Sequence, residues 1–354
     1  MSISEQPPHT DVALGTRQLL FVLPLVSVIS AGLSAAQHPT RVRPAVPIEP
    51  IAAIIDAFHS HEIVAMTDGA SAHGDEQNHA FRLSLIRDPR FAAIVNDIVV
   101  EFGSGQFQDV MDAFVRGDDV PYETLRQAWQ NTSIPNPTWD APIYEDFFRA
   151  VRAVNPSLPR ERKLRVLLAG IPFNWDDGAT ARNRLQVFDY ARYRSDLLQQ
   201  QVLAKHRRAL VVYGLGHLRR KYRDARCQAY DASPDWLGFA SKRAFTIFQI
   251  SHDRLMSWHP EAPWVVPSLA VLRGTSMGAQ ADPSTFCAVG QDGSAPIHLE
   301  EQFDAVLYLG SRETFSRISA DLCADPSYMK MRRDRMALFQ MNDQTLTQHC
   351  AAAK

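Results

Sequence analysis

Two histidines and one glutamate lie at the ends of three apolar runs of this sequence. His73 follows the run EIVAM, Glu101 lies at the end of the run DIVVEF, and His217 follows the run ALVVYG. An imidazole exchanges protons near neutral pH, and a nearby carboxylate can orient it or stabilise its charge. The three residues therefore predict an acid–base site, provided that the fold brings the ends of the three runs together.

Each of these residues also has a purely structural interpretation. His73 could only turn the chain before a helix, with Gly74 supplying an unusual dihedral angle. Glu101 could form an ion pair with an arginine, and His217 could lie beside a helix start. The NWDDG segment at 174–178, which follows a fourth apolar run, could likewise be only a turn. The coincidence of all four at strand ends favours a functional cleft. Four nearby polar residues are candidates for a supporting role: Asp68, Ser71, Glu76 and Asp176.

Short apolar runs alternate with longer amphipathic segments along the chain, and such runs are typical of strands buried on both faces. The predicted strands cover 62–66, 97–102, 164–170, 209–214, 244–250 and 304–310, and the predicted helices cover 76–88, 105–115, 121–130, 141–154 and 188–206. This order predicts an α/β layered fold with a largely parallel sheet, flanked by helices and carrying a helical insertion. Ligands of such sheets bind beyond the carboxyl ends of the strands, where the three candidate residues lie.

The composition is that of a globular protein with ample material for a core. Apolar residues make up 45% and charged residues 21% of the 354 residues. The formal net charge is -2, so the basic field of a nucleic-acid-binding protein is missing. We therefore expect a small-molecule substrate as the partner, and no nucleic acid.

The N-terminal segment is predicted to be a signal peptide that covers residues 1–36. An uncharged, mostly apolar stretch at 19–33 follows Arg17 and is succeeded by small residues that suit cleavage. This stretch is shorter than the ~20 residues of a membrane span. We expect an exported, periplasmic or extracellular protein that contacts the membrane and the Sec machinery only through this leader. An uncleaved anchor at 19–33 and a cytoplasmic protein are the alternatives.

Beyond the leader, the sequence predicts a proline-rich linker at 37–50 and a single domain at 51–354. The chain has four cysteines, none of them in a Cys-x-x-Cys pair, so a zinc ribbon is not expected. They are Cys227, Cys287, Cys323 and Cys350. Four cysteines allow three pairings, of which we favour Cys323 with Cys350, because the two flank a helical segment at 326–341.

The chain resembles the erythromycin esterase-like and ChaN/Tiki superfamily in four segments: IVAMTDGASAHGDEQ, DIVVEFGSGQFQDVMDAFVRGDDV, ALVVYGLGHL and DAVLYLG. The resemblance covers most of residues 55–318 in order and spacing, and it is nearest to the exported bacterial members. In that superfamily a Gly-Glu-x-His or Gly-Glu-x-x-His element ends the first strand, a glutamate ends the second, and a later histidine follows a strand. His73, Glu101 and His217 match those places.

One position of this pattern is different. The glutamate expected two or three residues before the first histidine is Ala70 or Ser71 in this chain. The nearest carboxylate is that of Asp68, which could reach the cleft from a longer loop. The change makes a binding protein without catalytic activity an alternative to an enzyme.

The resemblance implies an esterase-like hydrolase in which His73 takes a proton from water while Glu101 orients or charges its imidazole. His217 would stabilise the oxyanion or protonate the leaving group. The chain has no Gly-x-Ser-x-Gly elbow, so water rather than Ser71 is the expected nucleophile. On this hypothesis Glu101→Gln lowers the pKa of His73 and costs ~100-fold or more in rate.

Two other functions use the same cleft, and no cofactor is firmly predicted. His73, Glu101 and His217 could bind a divalent metal ion, because two imidazoles and a carboxylate are a common catalytic ligand set. The Tiki branch of the superfamily is associated with metal-dependent peptidase activity. The ChaN branch is linked to haem or iron, which implies a haem-binding protein with His73 or Tyr213 as the ligand.

Overall fold

A computed structural model of the chain describes residues 43–223, 229–230, 243–258, 264–281 and 296–351. The predicted signal peptide, Cys227 and Cys287 lie outside the described residues. Residues 42–354 belong to one compact unit. Within the described ranges, no helix has the length and apolar character needed to cross a membrane.

Seven strands of the described chain form one sheet: β1 (Ile63–Thr67), β2 (Asp97–Ser104), β3 (Arg165–Gly170), β4 (Ala209–Tyr213), β7 (Ala244–Gln249), β8 (Ser268–Val271) and β9 (Ala305–Tyr308). Their order in the sheet is β3-β2-β4-β1-β7-β9-β8. Every pairing is parallel except that of β8 with β9. A separate antiparallel pair contains β5 (Tyr222–Arg223) and β6 (Ala229–Tyr230). The predicted α/β fold with a largely parallel sheet is confirmed.

Helices cover both faces of this sheet. The α-helices are Pro50–Ser60, Glu76–Arg87, Pro89–Ile94, Gln108–Arg116, Tyr122–Leu125, Gln127–Gln130, Pro142–Val154, Gly178–Val187, Tyr190–Gln201, Leu215–Leu218, His252–Trp258, Leu299–Gln302, Ala320–Ala324, Pro326–Leu338 and Gln344–Ala351. All residues of β1, β2 and β4 are buried, which explains why their sequences show continuous apolar runs rather than alternation. The predicted helical insertion lies between β2 and β3, and its aromatic side chains pack around Phe102 at the end of β2.

The described part of the predicted linker, 43–49, is extended and bonds to the sheet edge, since Ile48 N–H donates to Leu269 O at 2.8 Å. The structure differs from the predicted strands and helices in two notable places. Strand β8 was not predicted, because four residues after a proline carry too short an apolar signal. The helix predicted at 188–206 ends at Gln201, and His206 has a positive φ of 51°.

The predicted disulfide between Cys323 and Cys350 is confirmed. It joins the helix Ala320–Ala324 to the last helix of the described chain. Ile318, Tyr328, Met336 and Leu346 form a small apolar cluster beside it. The bond therefore fastens the C-terminal helices around a core of their own.

Candidate functional site

Three neighbouring strands bring the predicted residues to one edge of the sheet. In the order β2-β4-β1, Glu101 lies in the last part of β2, His217 follows β4, and Asp68 and His73 follow β1. All three strands are parallel, so their carboxyl ends meet at the same edge. The predicted cleft is therefore formed by adjacent strand ends.

The loop after β1 folds back on itself and places His73 over Asp68. Gly69 has a φ of 95°, and a Cβ there would meet the carbonyl oxygen of Ala72 at 2.2 Å, so this turn requires glycine. As a result, Nδ1 of His73 lies 3.1 Å from Oδ2 of Asp68. The structural interpretation of this segment is also correct in part, because Asp75 caps the helix that starts at Glu76.

Asp68 is a fully buried carboxylate with three partners. Arg82 Nη1 donates to its Oδ1 at 2.6 Å, Tyr144 donates its hydroxyl to Oδ2 at 3.2 Å, and His73 faces the same Oδ2. Burial raises the pKa of Asp68, but the buried Arg82 guanidinium and His73 outweigh it and lower the pKa to about 2. Asp68 is therefore an anion throughout the physiological range.

His73 combines a fixed ring with access to solvent. Burial lowers its pKa, but the hydrogen bond to Asp68 and the charge of Glu101 prevail, so that the pKa is raised above its ordinary value. Trp139 contacts the ring edge to face, with centroids 4.5 Å apart. The side chain is 37% exposed, and its Nε2 has no hydrogen-bond partner among the described residues. This nitrogen can accept a proton from a molecule in the cleft.

Glu101 forms the buried floor between the two histidines. Its side chain is 4% exposed, and its Oε1 accepts a hydrogen bond from the backbone N–H of Gly214. Oε1 lies 3.8 Å from His73 Nδ1, and Oε2 lies 3.5 Å from His217 Nε2. We expected Glu101 to orient His73. Asp68 instead makes the closer contact, because the Gly69 turn brings its carboxylate directly under the ring.

The tautomer of His217 follows from its contact with Arg194. Arg194 Nη1 lies 2.8 Å from His217 Nδ1. A guanidinium can only donate hydrogen bonds, so Nδ1 must accept and carries no proton. The remaining proton is on Nε2, which faces Glu101. In this arrangement Nε2 of His217 is a hydrogen-bond donor on the side of Glu101.

The other predicted supporting residues lie outside this group. Ser71 is exposed and donates its hydroxyl to Glu313 Oε2 at 2.6 Å. Glu76 is exposed at the start of its helix, and Asp176 is exposed in a short 3-10 turn after β3. No hydrogen bond or ion pair within the described part of the chain joins Ser71, Glu76 or Asp176 to His73 or Glu101. Asp68 alone of the four predicted supporting residues reaches the site.

Four residues of the site were not predicted: Arg82, Arg194, Trp139 and Tyr144. Arg82 and Tyr144 are completely buried. Arg82 has the only detectable signal, since it lies among Phe81, Leu85 and Ile86 on the buried face of its helix. A charged residue at such a position indicates a buried ionic partner.

Asp68, His73 and Glu101 could hold a metal ion, because their ligand atoms all lie within 4.8 Å of one another. This group differs from the predicted ligand set, in which His217 stood in place of Asp68. Both oxygens of Asp68 are already bonded, and the buried Arg82 cation lies 2.6 Å from one of them. The set therefore fits a divalent cation poorly unless Asp68 releases His73.

Tyr213 does not offer an open position for haem. Its side chain is 1% exposed, and the Arg194 guanidinium lies 5.3 Å from the centroid of its ring. A haem iron bound by Tyr213 would require Arg194 and the surrounding core to move.

Neither the family models nor the curated proteins include a match to this chain. Solved structures with a similar fold include a Bacillus cereus protein, with a TM-score of 0.47, 12% identity and coverage of 78% of this chain and 96% of that one. A succinoglycan biosynthesis protein has a TM-score of 0.49, 10% identity and the same coverages. The C-terminal region of Pasteurella multocida toxin, which has a thiol-protease like catalytic triad, has a TM-score of 0.37, 10% identity and coverage of 56% of this chain and 24% of that one.

Proposed function

We propose that this protein is a metal-independent hydrolase of small carboxylic esters or lactones, with His73 as the general base. The observation that supports this most is the pairing of His73 with Asp68. Nδ1 is held by a buried anion, so a protonated ring is stabilised, and the partly exposed ring lines a cavity. This is the arrangement that a base needs to activate water.

In the proposed reaction, Nε2 of His73 removes a proton from water as the water oxygen attacks the ester carbonyl carbon. Asp68 and Glu101 stabilise the imidazolium that forms, since both carboxylates face Nδ1. The tetrahedral intermediate then collapses, the bond from carbon to the leaving oxygen breaks, and His73 returns its proton to that oxygen. One histidine thus acts first as base and then as acid. His217 supplies an N–H group beside the carboxylate floor.

We also propose that the chain is a distant member of the erythromycin esterase-like and ChaN/Tiki superfamily. A histidine after β1, a glutamate in the last part of β2 and a histidine after β4 support this placement. Asp68 supplies the carboxylate that the superfamily takes from its first glutamate. The substitution therefore need not abolish catalysis, because an anion still contacts the histidine.

A metal-dependent hydrolase is the second candidate, because the ligand atoms of Asp68, His73 and Glu101 lie within 4.8 Å of one another. Binding of an ion would require Asp68 to release His73. The two mechanisms differ in their response to chelation. If a bound ion activates the water, exhaustive chelation removes activity and a divalent salt restores it. Activity that is unchanged by chelation supports the metal-independent reaction.

We propose that residues 1–36 direct export. The Cys323–Cys350 disulfide supports this proposal, because structural disulfides form and persist mainly in oxidising compartments. Fractionation of cells that express the full chain, with N-terminal sequencing of the product, tests it. A cytoplasmic product with an intact N-terminus would contradict it.

The function is tested by a hydrolysis screen of esters, lactones and peptides with the wild-type protein and His73→Ala. His59→Ala is the matched control, since His59 is an exposed histidine on the helix Pro50–Ser60. We expect ester or lactone hydrolysis that His73→Ala abolishes and His59→Ala retains. Activity that is retained in His73→Ala would contradict the proposal. The absence of hydrolysis of every compound in the screen would also contradict it.

A further inference from the structure

The cleft beside His73 has a rigid second wall. A cavity of about 340 Å³ is lined by residues 72–74, by Thr138 and by residues 315–317. The segment 313–316 is bonded to the His73 loop along its length. Ser316 N–H donates to Gly74 O at 2.8 Å, and Glu76 N–H donates to Thr314 O at 2.9 Å.

Side chains strengthen the same contact. Gln77 donates to the Thr314 hydroxyl at 2.8 Å and accepts from the Thr314 N–H at 3.0 Å. Ser71 donates to Glu313 at 2.6 Å. On the other side of the cavity wall, Ile318 is buried in the C-terminal apolar cluster. The backbone at residue 317 is thus fixed from both sides.

Arg317 is the charged residue that this wall presents at the cavity. It is exposed, and its guanidinium forms no hydrogen bond or ion pair with any other described residue. The two carboxylates at the base of the site, Asp68 and Glu101, already lie beside Arg82 and Arg194. Among the described residues that line this cavity, Arg317 therefore carries a permanent positive charge that no carboxylate compensates.

From this geometry we infer that Arg317 binds a negatively charged group of the substrate, so that the enzyme prefers esters that carry a carboxylate. A planar guanidinium on a fixed backbone suits bidentate binding of a carboxylate. The inference rests on the proposed function for the identity of the scissile group. The anion binding itself depends only on Arg317 and the cavity.

Two substrates that differ only in charge test this: 4-nitrophenyl hydrogen adipate, which carries a carboxylate, and its methyl ester, which is neutral. We expect the wild type to have a KM at least about 10-fold lower for the anion, the scale of a hydrogen bond to a charged group. Arg317→Met should raise the KM for the anion by that factor, change kcat little and leave the neutral ester unaffected. Arg317→Lys should retain part of the preference.

Arg312→Met is the matched control, because Arg312 is an exposed arginine of the same segment that does not line the cavity. Equal KM values for both esters in the wild type, or equal effects of Arg317→Met and Arg312→Met, would overturn the inference. Calorimetry with adipate separates this inference from the proposed function. If neither ester is hydrolysed but adipate binds the wild type and not Arg317→Met, anion binding stands and the hydrolase proposal fails. If adipate does not bind the wild type, the inference fails, whether or not the two esters are hydrolysed.

Discussion

The two histidines of the cleft lie near the same kinds of residue, but a carboxylate contacts the ring of His73 and a guanidinium contacts the ring of His217. Each is 37% exposed, and each lies near a buried carboxylate and an arginine. At His73 the carboxylate of Asp68 contacts the ring, and Arg82 contacts the carboxylate. At His217 an arginine contacts the ring directly. An anion therefore contacts the first ring and stabilises its protonated form, whereas a cation contacts Nδ1 of the second ring.

This difference assigns different chemistry to similar residues. A base that later acts as an acid must carry a proton part of the time, and the anion under His73 favours that state. A ring that accepts from a guanidinium at Nδ1 can only donate from Nε2. The role of an imidazole thus depends on whether a carboxylate or a guanidinium contacts its Nδ1 directly.

The largest expected effect separates the two histidines directly. His73→Gln should lower kcat/KM for the ester by about 1000-fold or more, within the range of positioned acid–base catalysis. His217→Gln should cost only about 10-fold, the scale of one ordinary hydrogen bond, because it removes a supporting donor. Steady-state kinetics with circular dichroism as a control for folding measure both. Equal losses for the two variants would show that the rings share one role.

The buried pair under His73 should matter most for stability. Arg82 and Asp68 are both completely buried, so Arg82→Met leaves an uncompensated anion and should cost about 3–5 kcal/mol in the free energy of unfolding. Arg116→Met is the control, because the Arg116–Asp118 pair is largely exposed and such pairs contribute about 0–1 kcal/mol. Urea denaturation compares them. The double variant Arg82→Met/Asp68→Asn should recover part of the loss, and an additive double variant would contradict the pairing.

The pH dependence of activity should identify the carboxylate that matters more to His73. Because its pKa is raised, activity should rise with pH through a value above the ordinary 6.5. Asp68→Asn should move this rise to lower pH and reduce the rate ~100-fold. Glu101→Gln should move it less, since Glu101 lies 3.8 Å from Nδ1 and Asp68 lies 3.1 Å away. Profiles of kcat/KM against pH measure the shift, and a larger shift in Glu101→Gln would reverse this ranking.

The same raised pKa affects stability. The contribution of the protonated His73 contact is fully present below the ordinary pKa and is lost as the pH rises through the folded value. The difference in unfolding free energy between the wild type and His73→Gln should therefore be larger at acidic than at alkaline pH.

The sequence was sufficient for the parallel sheet and for the positions of His73 and Glu101, because buried parallel strands have continuous apolar runs and functional residues follow them. It also pointed to Asp68 as a candidate residue of the cleft, and the structure places Asp68 in contact with His73. Arg82 has a signal, because a charged residue on the buried face of a helix indicates a buried ionic partner, but the sequence does not identify that partner. Arg194 has none, because it lies in a mostly polar helical segment and could face solvent as well as a buried anion. The role of His217 depends on one such contact.

The smallest expected effect concerns Arg194. Arg194→Met should lower kcat/KM about 10-fold by releasing Nδ1 of His217, and the double variant Arg194→Met/His217→Gln should be no slower than the slower single variant, since residues in direct contact are not additive. Arg192→Met is the control, because Arg192 is an exposed residue of the same helix. If the losses of the two single variants multiply in the double variant, Arg194 acts through Glu101 and not through His217. Nη2 of Arg194 lies 3.9 Å from Oε2 of Glu101.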